Sequence, residues 1–372
     1  MIQITTTETL SLSNLKVLTL SDLHVNVARL GAKFSTWSLQ EYFRVNDSII
    51  SSMDGIILAG DVYDRLLIHP SNETVYIMEW IISLFKYCKD NNLFLRVLEG
   101  TKSHDWGQSK DFVIVSRMFK MVDFAYYDTV VIERMEKYDT TVLYIPDEWS
   151  STCDKTWDYV LNMMNEQHIS EVDIAVMHGA FEYQLDFPGV DVHVLERYER
   201  IVKYYICIGH IHTSIVKGKS YPNGSFLRFA FNEPNPKGGW IHVIEDGVHK
   251  PTFLENENAT QFVKVEILLE YSTRVSKAKI NKAVKKLPNG SFVAIVLNRK
   301  SAFMSELSSL KDQYPNITFT RELVGGVDEE VVAVKEYSVF NITEDNLLST
   351  YGDFVEDNPL KDDLVDLLKT LL

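Results

Sequence analysis

The chain has 372 residues, enough for a large core plus one or two smaller units. Hydrophobic residues at 45% and charged residues at 24% are ordinary for a soluble globular protein. No apolar run approaches the roughly 20 residues of a spanning helix, so no membrane association is expected. The formal net charge of −15 speaks against extended nucleic-acid binding, because phosphate contacts need Lys and Arg.

The opening stretch MIQITTTETLSLSN lacks a basic segment and a long apolar core, so no signal peptide is expected. Six apolar runs then read as buried strands: LKVLTLSD, GIILAGD, LFLRVLEG, TTVLYIPD, VDIAVMHG and KYYICIGH. Each ends in Gly, Asp or His. Between the second and third, ETVYIMEWIISLFKYCKDNN is apolar on a helical period and predicts a crossover helix. Hairpin-like strands follow in GSFLRFAFNE, GGWIHVIEDG and VHKPTFLE. The stretch ENENAT reads as a linker. Beyond it QFVKVEILLE, RVSKAKINKAVKKL, SFVAIVLN, MSELSSLKDQY and NITFTREL predict strand, helix, strand, helix and strand. The acidic C-terminal stretch places Leu and Val at helical spacing. This gives an α/β protein with a core over residues 1–255, a small α/β unit over 256–335 and C-terminal helices over 336–372. Cys88, Cys153 and Cys207 have no paired spacing, which predicts a reducing, cytoplasmic setting without disulfides.

The chemistry gathers at the ends of the predicted strands. Asp22 and His24 stand two apart after the first, where alternation aims both at one face. Asp61 follows the second, with Asp64, a candidate helix cap, and Arg65 just beyond. The third ends in Gly100, then Ser103, His104 and Asp105. The fifth ends in His178 and the sixth in His210 and His212. Five of the ten histidines lie in these turns. His69, His168, His193, His242 and His249 read as ordinary surface or core residues. In open α/β sheets ligands collect at the carboxyl edge of the strands.

Nitrogen and carboxylate donors without thiolate suit manganese, iron or zinc. The set is too large for one tetrahedral ion and suits two divalent ions about 3.5–4 Å apart, with Asp61 as the central bridging candidate. About four positive charges would then meet Asp22, Asp61, a hydroxide and one phosphodiester. Such a site is close to neutral when loaded, so it suits a diester and holds its anion by metal charge and not by Lys and Arg. Water activated by the ions would be the nucleophile, and His104, oriented by Asp105, would protonate the leaving oxygen.

In order, SDLHVN, GDVYDR, GTKSHD, MHG and GHIH resemble the five motifs of the calcineurin-like metallophosphoesterases. The segment YPNGSFLRFAFNEPNPKGG is similar to the one that follows the His-x-His motif in SbcD-type nucleases, through Tyr221, Gly224, Ser225, Arg228, Phe231, Glu233, Lys237 and Gly238. Tailed-phage recombination nucleases share the pattern. The resemblance implies a four-layer α/β/β/α core, a DNA-capping domain, and C-terminal helices that bind an SbcC-like ATPase. It also implies a homodimer acting on DNA ends with two ions, manganese or alternatively magnesium.

Carried over by motif, one ion would take Asp22, His24, Asp61 and His212, and the other Asp61, His178 and His210. The family has an Asn ligand before its catalytic histidine. Here Ser103 holds that place, so that its hydroxyl or a water would complete the shell, or else the second ion is weakly held; Arg65 is a candidate phosphate contact, and Lys102 is either another or a solvated loop lysine. The expected activity is manganese-dependent hydrolysis of DNA phosphodiesters. The alternatives are a phosphodiesterase of small molecules and a weakly catalytic platform for the ATPase.

Overall fold

The computed structural model describes residues 14–68, 70–120, 122–185 and 189–324. The predicted C-terminal helices, the end of the small unit and His69 lie outside the described residues. Among the described residues no helix is long and apolar enough to cross a membrane.

The chain is a mixed α/β protein with three sheets among the described residues. The first contains β1 (Leu15–Leu20), β2 (Gly55–Ala59), β3 (Phe94–Leu98), β4 (Phe124–Tyr127), β10 (Gly238–Glu245) and β11 (Val248–Glu255), in the order β11-β10-β1-β2-β3-β4. Strands β1 to β4 run parallel, and β10 is antiparallel to β1. The second contains β5 (Val131–Met135), β6 (Thr140–Ile145), β7 (Val172–His178), β8 (Val202–Gly209) and β9 (Ser220–Pro222) in sequence order, parallel from β6 onward.

Strand alternation builds three cores from these two sheets. Leu15, Val17, Ile57 and Ala59 of the first sheet pack against Val142, Tyr144, Ile174, Val176, Tyr205 and Cys207 of the second. The alternate residues Leu18, Leu20, Ile56 and Leu58 face the other way, onto helices Ala32–Val45, Asn72–Asn91 and Lys110–Ser116. On the far side of the second sheet Ala175, Met177, Ile206 and Ile208 pack on helix Cys153–Glu166. A strand buried on both faces reads as a continuous apolar run, which is why these segments are recognisable in the sequence.

The predicted crossover helix runs Asn72–Asn91. Ser71 caps its start by accepting the Thr74 N–H, and Asn92 ends it in the left-handed region. The small unit is β12 (Phe262–Ile267), helix Thr273–Val284, β13 (Phe292–Asn298), helix Leu307–Gln313 and β14 (Thr318–Val324), a parallel sheet with its own core around Ile280, Ile295 and Phe303.

Two expectations change. GSFLRFAFNE is not a strand. Its buried Phe226 and Leu227 mimic one, but Arg228 donates to the carbonyls of Glu233, Asn235 and Thr260 and ties the segment into a loop. The stretch ENENAT is not a loose linker either. Asn256, Ala259 and Thr260 are buried, and Thr260 donates its hydroxyl to the Arg228 carbonyl.

Candidate metal centre

The β1–β2 pairing continues past the strand ends. The N–H groups of Asp22, His24 and Val25 donate to the carbonyls of Gly60, Asp61 and Val62 at 3.1, 3.2 and 2.9 Å. This extension holds the Asp22 and Asp61 turns side by side. Asp22, His24, Asp61 and His210 all adopt positive φ, at 51°, 45°, 50° and 99°. Such conformations cost non-glycine residues of order 1–3 kcal/mol each and cluster where function requires them. Gly100 allows the third loop to close in, because a Cβ there would lie 2.1 Å from the Asp61 nitrogen and 2.3 Å from its Oδ1.

Among the described residues three groups of donors result, each with ligand atoms within 4.8 Å of one another: Asp22, His24 and His212; Asp61, His178 and His210; and His24, Asp64 and His104. In the first, His24 and His212 approach through their Nε2 atoms at 3.3 Å, and His212 Nε2 lies 3.9 Å from Asp22 Oδ1. In the second, His178 Nε2 lies 3.2 Å from Asp61 Oδ1. Both Asp22 oxygens accept the His210 N–H at 3.1 Å, which couples the two groups.

The ring tautomers follow from fixed acceptors. His178 Nδ1 lies 2.6 Å from the Ala59 carbonyl oxygen, which can only accept, so Nδ1 carries a proton and Nε2 is the nitrogen turned toward Asp61. His104 Nδ1 is 2.9 Å from the Asp64 carbonyl, so there too Nδ1 carries a proton and Nε2 is the nitrogen left for chemistry. His24 Nδ1 and His178 Nε2 are buried and make no well-aligned hydrogen bond. Buried carboxylates facing imidazole nitrogens of this kind fit a divalent cation, and these clusters could hold one.

The charges agree with the geometry. Burial alone disfavours both the Asp61 carboxylate and the His178 cation. Their mutual attraction overrides it, lowering the pKa of Asp61 and raising that of His178. At His24 burial outweighs the pull of Asp22 and Asp61, which favours the neutral, ligating form. Burial also opposes the Glu233 carboxylate, but His212 and Lys237 hold it at about 2.

Several predicted roles are corrected. Ser103 is exposed and does not take the missing amide's place; its carbonyl accepts the Trp106 indole N–H at 2.7 Å. Asp105 does not orient His104. It is fully buried and accepts the N–H groups of Tyr63 and Gly100 at 2.9 and 2.7 Å, bracing the second loop against the third. The His104 ring is oriented by the Asp64 carbonyl instead. Asp64 caps no helix; its Oδ1 lies 3.6 Å from His24 Nδ1. Arg65 pairs with Glu73 at 2.9 Å through Nη2 while its Nη1 makes no hydrogen bond among the described residues, and Lys102 donates to the Glu148 carbonyl at 2.7 Å.

The sequence reading missed Thr101, Asp147 and the task of Glu233. Thr101 Oγ1 lies 3.3 Å from Asp61 Oδ2 and 3.2 Å from His210 Nδ1. Asp147 ends the TTVLYIPD run, so the strand-end rule that singles out the ligands also points to it. Glu233 Oε1 lies 3.6 Å from His212 Nδ1, and the buried Lys237 bonds Glu233 at 2.7 Å and the His212 carbonyl at 3.0 Å. The YPNGSFLRFAFNEPNPKGG segment is therefore the support of His212.

No protein-family model and no curated protein matches the chain. Among solved structures it is similar to TT1561 of Thermus thermophilus at 10% identity and a TM-score of 0.39, over 65% of this chain and all (100%) of that one. It is also similar to GAP50, the anchor in the inner membrane complex of Plasmodium, at 9% identity and a TM-score of 0.38, over 76% of this chain and 96% of that one.

Proposed function

We propose that the chain is a dinuclear metal-dependent phosphodiesterase with the four-layer calcineurin-like core, and within that class a DNA exonuclease and endonuclease subunit of the SbcD type. The observation that carries this reading is the convergence of Asp22, His24 and His212 beside Asp61, His178 and His210, from the carboxyl ends of strands in both sheets. Asp22, His24, Asp61 and His212 would hold one cation, and Asp61, His178 and His210 the other. Manganese suits this mixture of imidazole and carboxylate; magnesium prefers oxygen throughout. When bound, the cations supply Lewis-acid charge to the phosphoryl oxygens and acidify water.

The protein's own groups do the rest. His104 keeps Nδ1–H on the Asp64 carbonyl, so Nε2 is the atom that hands a proton to the leaving oxygen as its bond to phosphorus breaks. Glu233 and the Ala59 carbonyl hold His212 and His178 in their ligating tautomers. DNA as substrate, an SbcC-like ATPase as partner and homodimerisation rest on the ordered motifs and on the segment from Tyr221 to Gly238. An acidic chain can act on DNA in this way because the anion is held by the cations.

The test is cleavage of linear DNA with manganese by wild type, His104→Gln and His178→Ala. His104→Gln should lose about 10²–10⁴-fold in rate, and His178→Ala should lose cleavage together with one bound ion. Undiminished cutting by both variants overturns the assignment. Turnover of bis-p-nitrophenyl phosphate without DNA cleavage would instead make the protein a small-molecule phosphodiesterase.

A further inference from the structure

We propose that Thr101 gives its side-chain oxygen to the second cation, and that Asp147 holds the Thr101 proton so that the oxygen lone pairs face the ion. The inference rests on the two-cation reading and fills the ligand position at which this chain has no asparagine.

Thr101 is buried just beyond the end of β3, with 8% of its surface exposed. Its backbone N–H donates to Asp61 Oδ1 at 2.7 Å, which fixes the orientation of the central carboxylate. Its hydroxyl oxygen has three basic neighbours: Asp147 Oδ2 at 3.0 Å, His210 Nδ1 at 3.2 Å and Asp61 Oδ2 at 3.3 Å. A hydroxyl has one proton to give. Asp147 is the nearest of the three acceptors, and its other oxygen takes the Glu148 N–H at 2.9 Å. With the proton directed there, the Thr101 lone pairs point toward Asp61 and His210.

Oxygen and nitrogen lone pairs packed this closely repel one another unless a positive charge lies among them. A cation held by Asp61, His178 and His210 turns those repulsions into attractions. Thr101 is neutral, as an amide ligand is, so it adds a donor without adding charge. Asp147 then plays for a hydroxyl the part that an outer carboxylate plays for a ligating histidine.

The experiment is manganese titration of the full chain by calorimetry, with the spin-coupled signal of the ion pair followed by electron paramagnetic resonance. Wild type should bind two ions. Thr101→Val, which keeps shape and removes the oxygen, should keep one ion and weaken the other by about 10–100-fold, with loss of the coupled signal. Thr101→Ser should restore both. Asp147→Asn should weaken the same ion by at least about 10-fold. Two ions of unchanged affinity in Thr101→Val overturn the inference and leave the two-cation reading standing. Fewer than two ions in wild type overturns that reading as well.

Discussion

His178 Nδ1 lies 2.6 Å from the carbonyl oxygen of Ala59, so the last residue of β2 in one sheet orients a candidate ligand at the end of β7 in the other. Which nitrogen of His178 faces Asp61 is thus set by the distance between the sheets. Whatever separates the sheets at this end also misaligns the ligand.

Gly60→Ala should do so. A Cβ at Gly60, whose φ is 87°, would lie 2.2 Å from His178 Nδ1 and 2.9 Å from the Gly100 Cα. The variant should lose more than about 1 kcal/mol of stability, since alanine is strained at positive φ. It should also lose the ion held by His178. Urea unfolding and manganese calorimetry check both, and a variant that matches wild type in both would show that the sheets yield there.

Glu233→Gln tests the support of His212. The carboxylate lies 3.6 Å from His212 Nδ1 and is held at about 2 by His212 and Lys237 against the effect of burial. An amide of the same shape removes the charge that favours the correct tautomer. Manganese affinity at the first group should fall about 10–100-fold while the far-ultraviolet circular dichroism is unchanged.

Arg96 pins the two sheets at a place remote from the ligands. It points into the inter-sheet layer from β3 and donates to both oxygens of Glu133 on β5, with contacts at 2.7, 3.0 and 3.1 Å. Removing it leaves the largely buried Glu133 without its partner. Arg96→Ala should cost about 3 kcal/mol, measured by urea denaturation, and a loss below about 1 kcal/mol, the level of a surface pair, would contradict this account.

Stability should also depend on pH through histidines outside the centre. Burial lowers His249 to about 4, and burial with the neighbouring His249 lowers His242 well below its ordinary value. The unfolded chain takes up these protons near pH 6.5 while the folded chain refuses them. The unfolded state therefore binds more protons between about 4 and 6.5, and stability falls as pH falls through that window. Above it the contribution is complete. His249→Phe keeps a ring against Tyr205, which stacks at 4.6 Å, and cannot titrate. Wild type should lose stability relative to this variant as pH drops from 7.5 to 4.5, read from urea midpoints, and a constant difference would refute the assignment.

The paired strand ends are legible because alternation is a local rule. A strand buried on both faces must be apolar, and whatever polar residues close it must stand at its rim. The segment Gly224–Glu233 misleads for the same reason. Phe226 and Leu227 carry the apolar signal, but Arg228 commits its guanidinium to three carbonyls of the following chain, and no local pattern announces that. Arg65 and Lys102 look like free cations in the sequence because their partners, Glu73 and the Glu148 carbonyl, are set by folding.

From sequence alone came the α/β alternation, the strand-end positions of Asp22, His24, Asp61, His178, His210 and His212, and the nitrogen–oxygen character of the donors. The tertiary structure alone decided that Thr101 faces the second group while Ser103 turns to solvent, that a carbonyl of Asp64 orients His104, and that Asp147 joins the set. The physical reason is periodicity. Along a strand, side-chain direction follows from position, whereas in a turn each direction depends on dihedral angles fixed by contacts with segments far away in the chain.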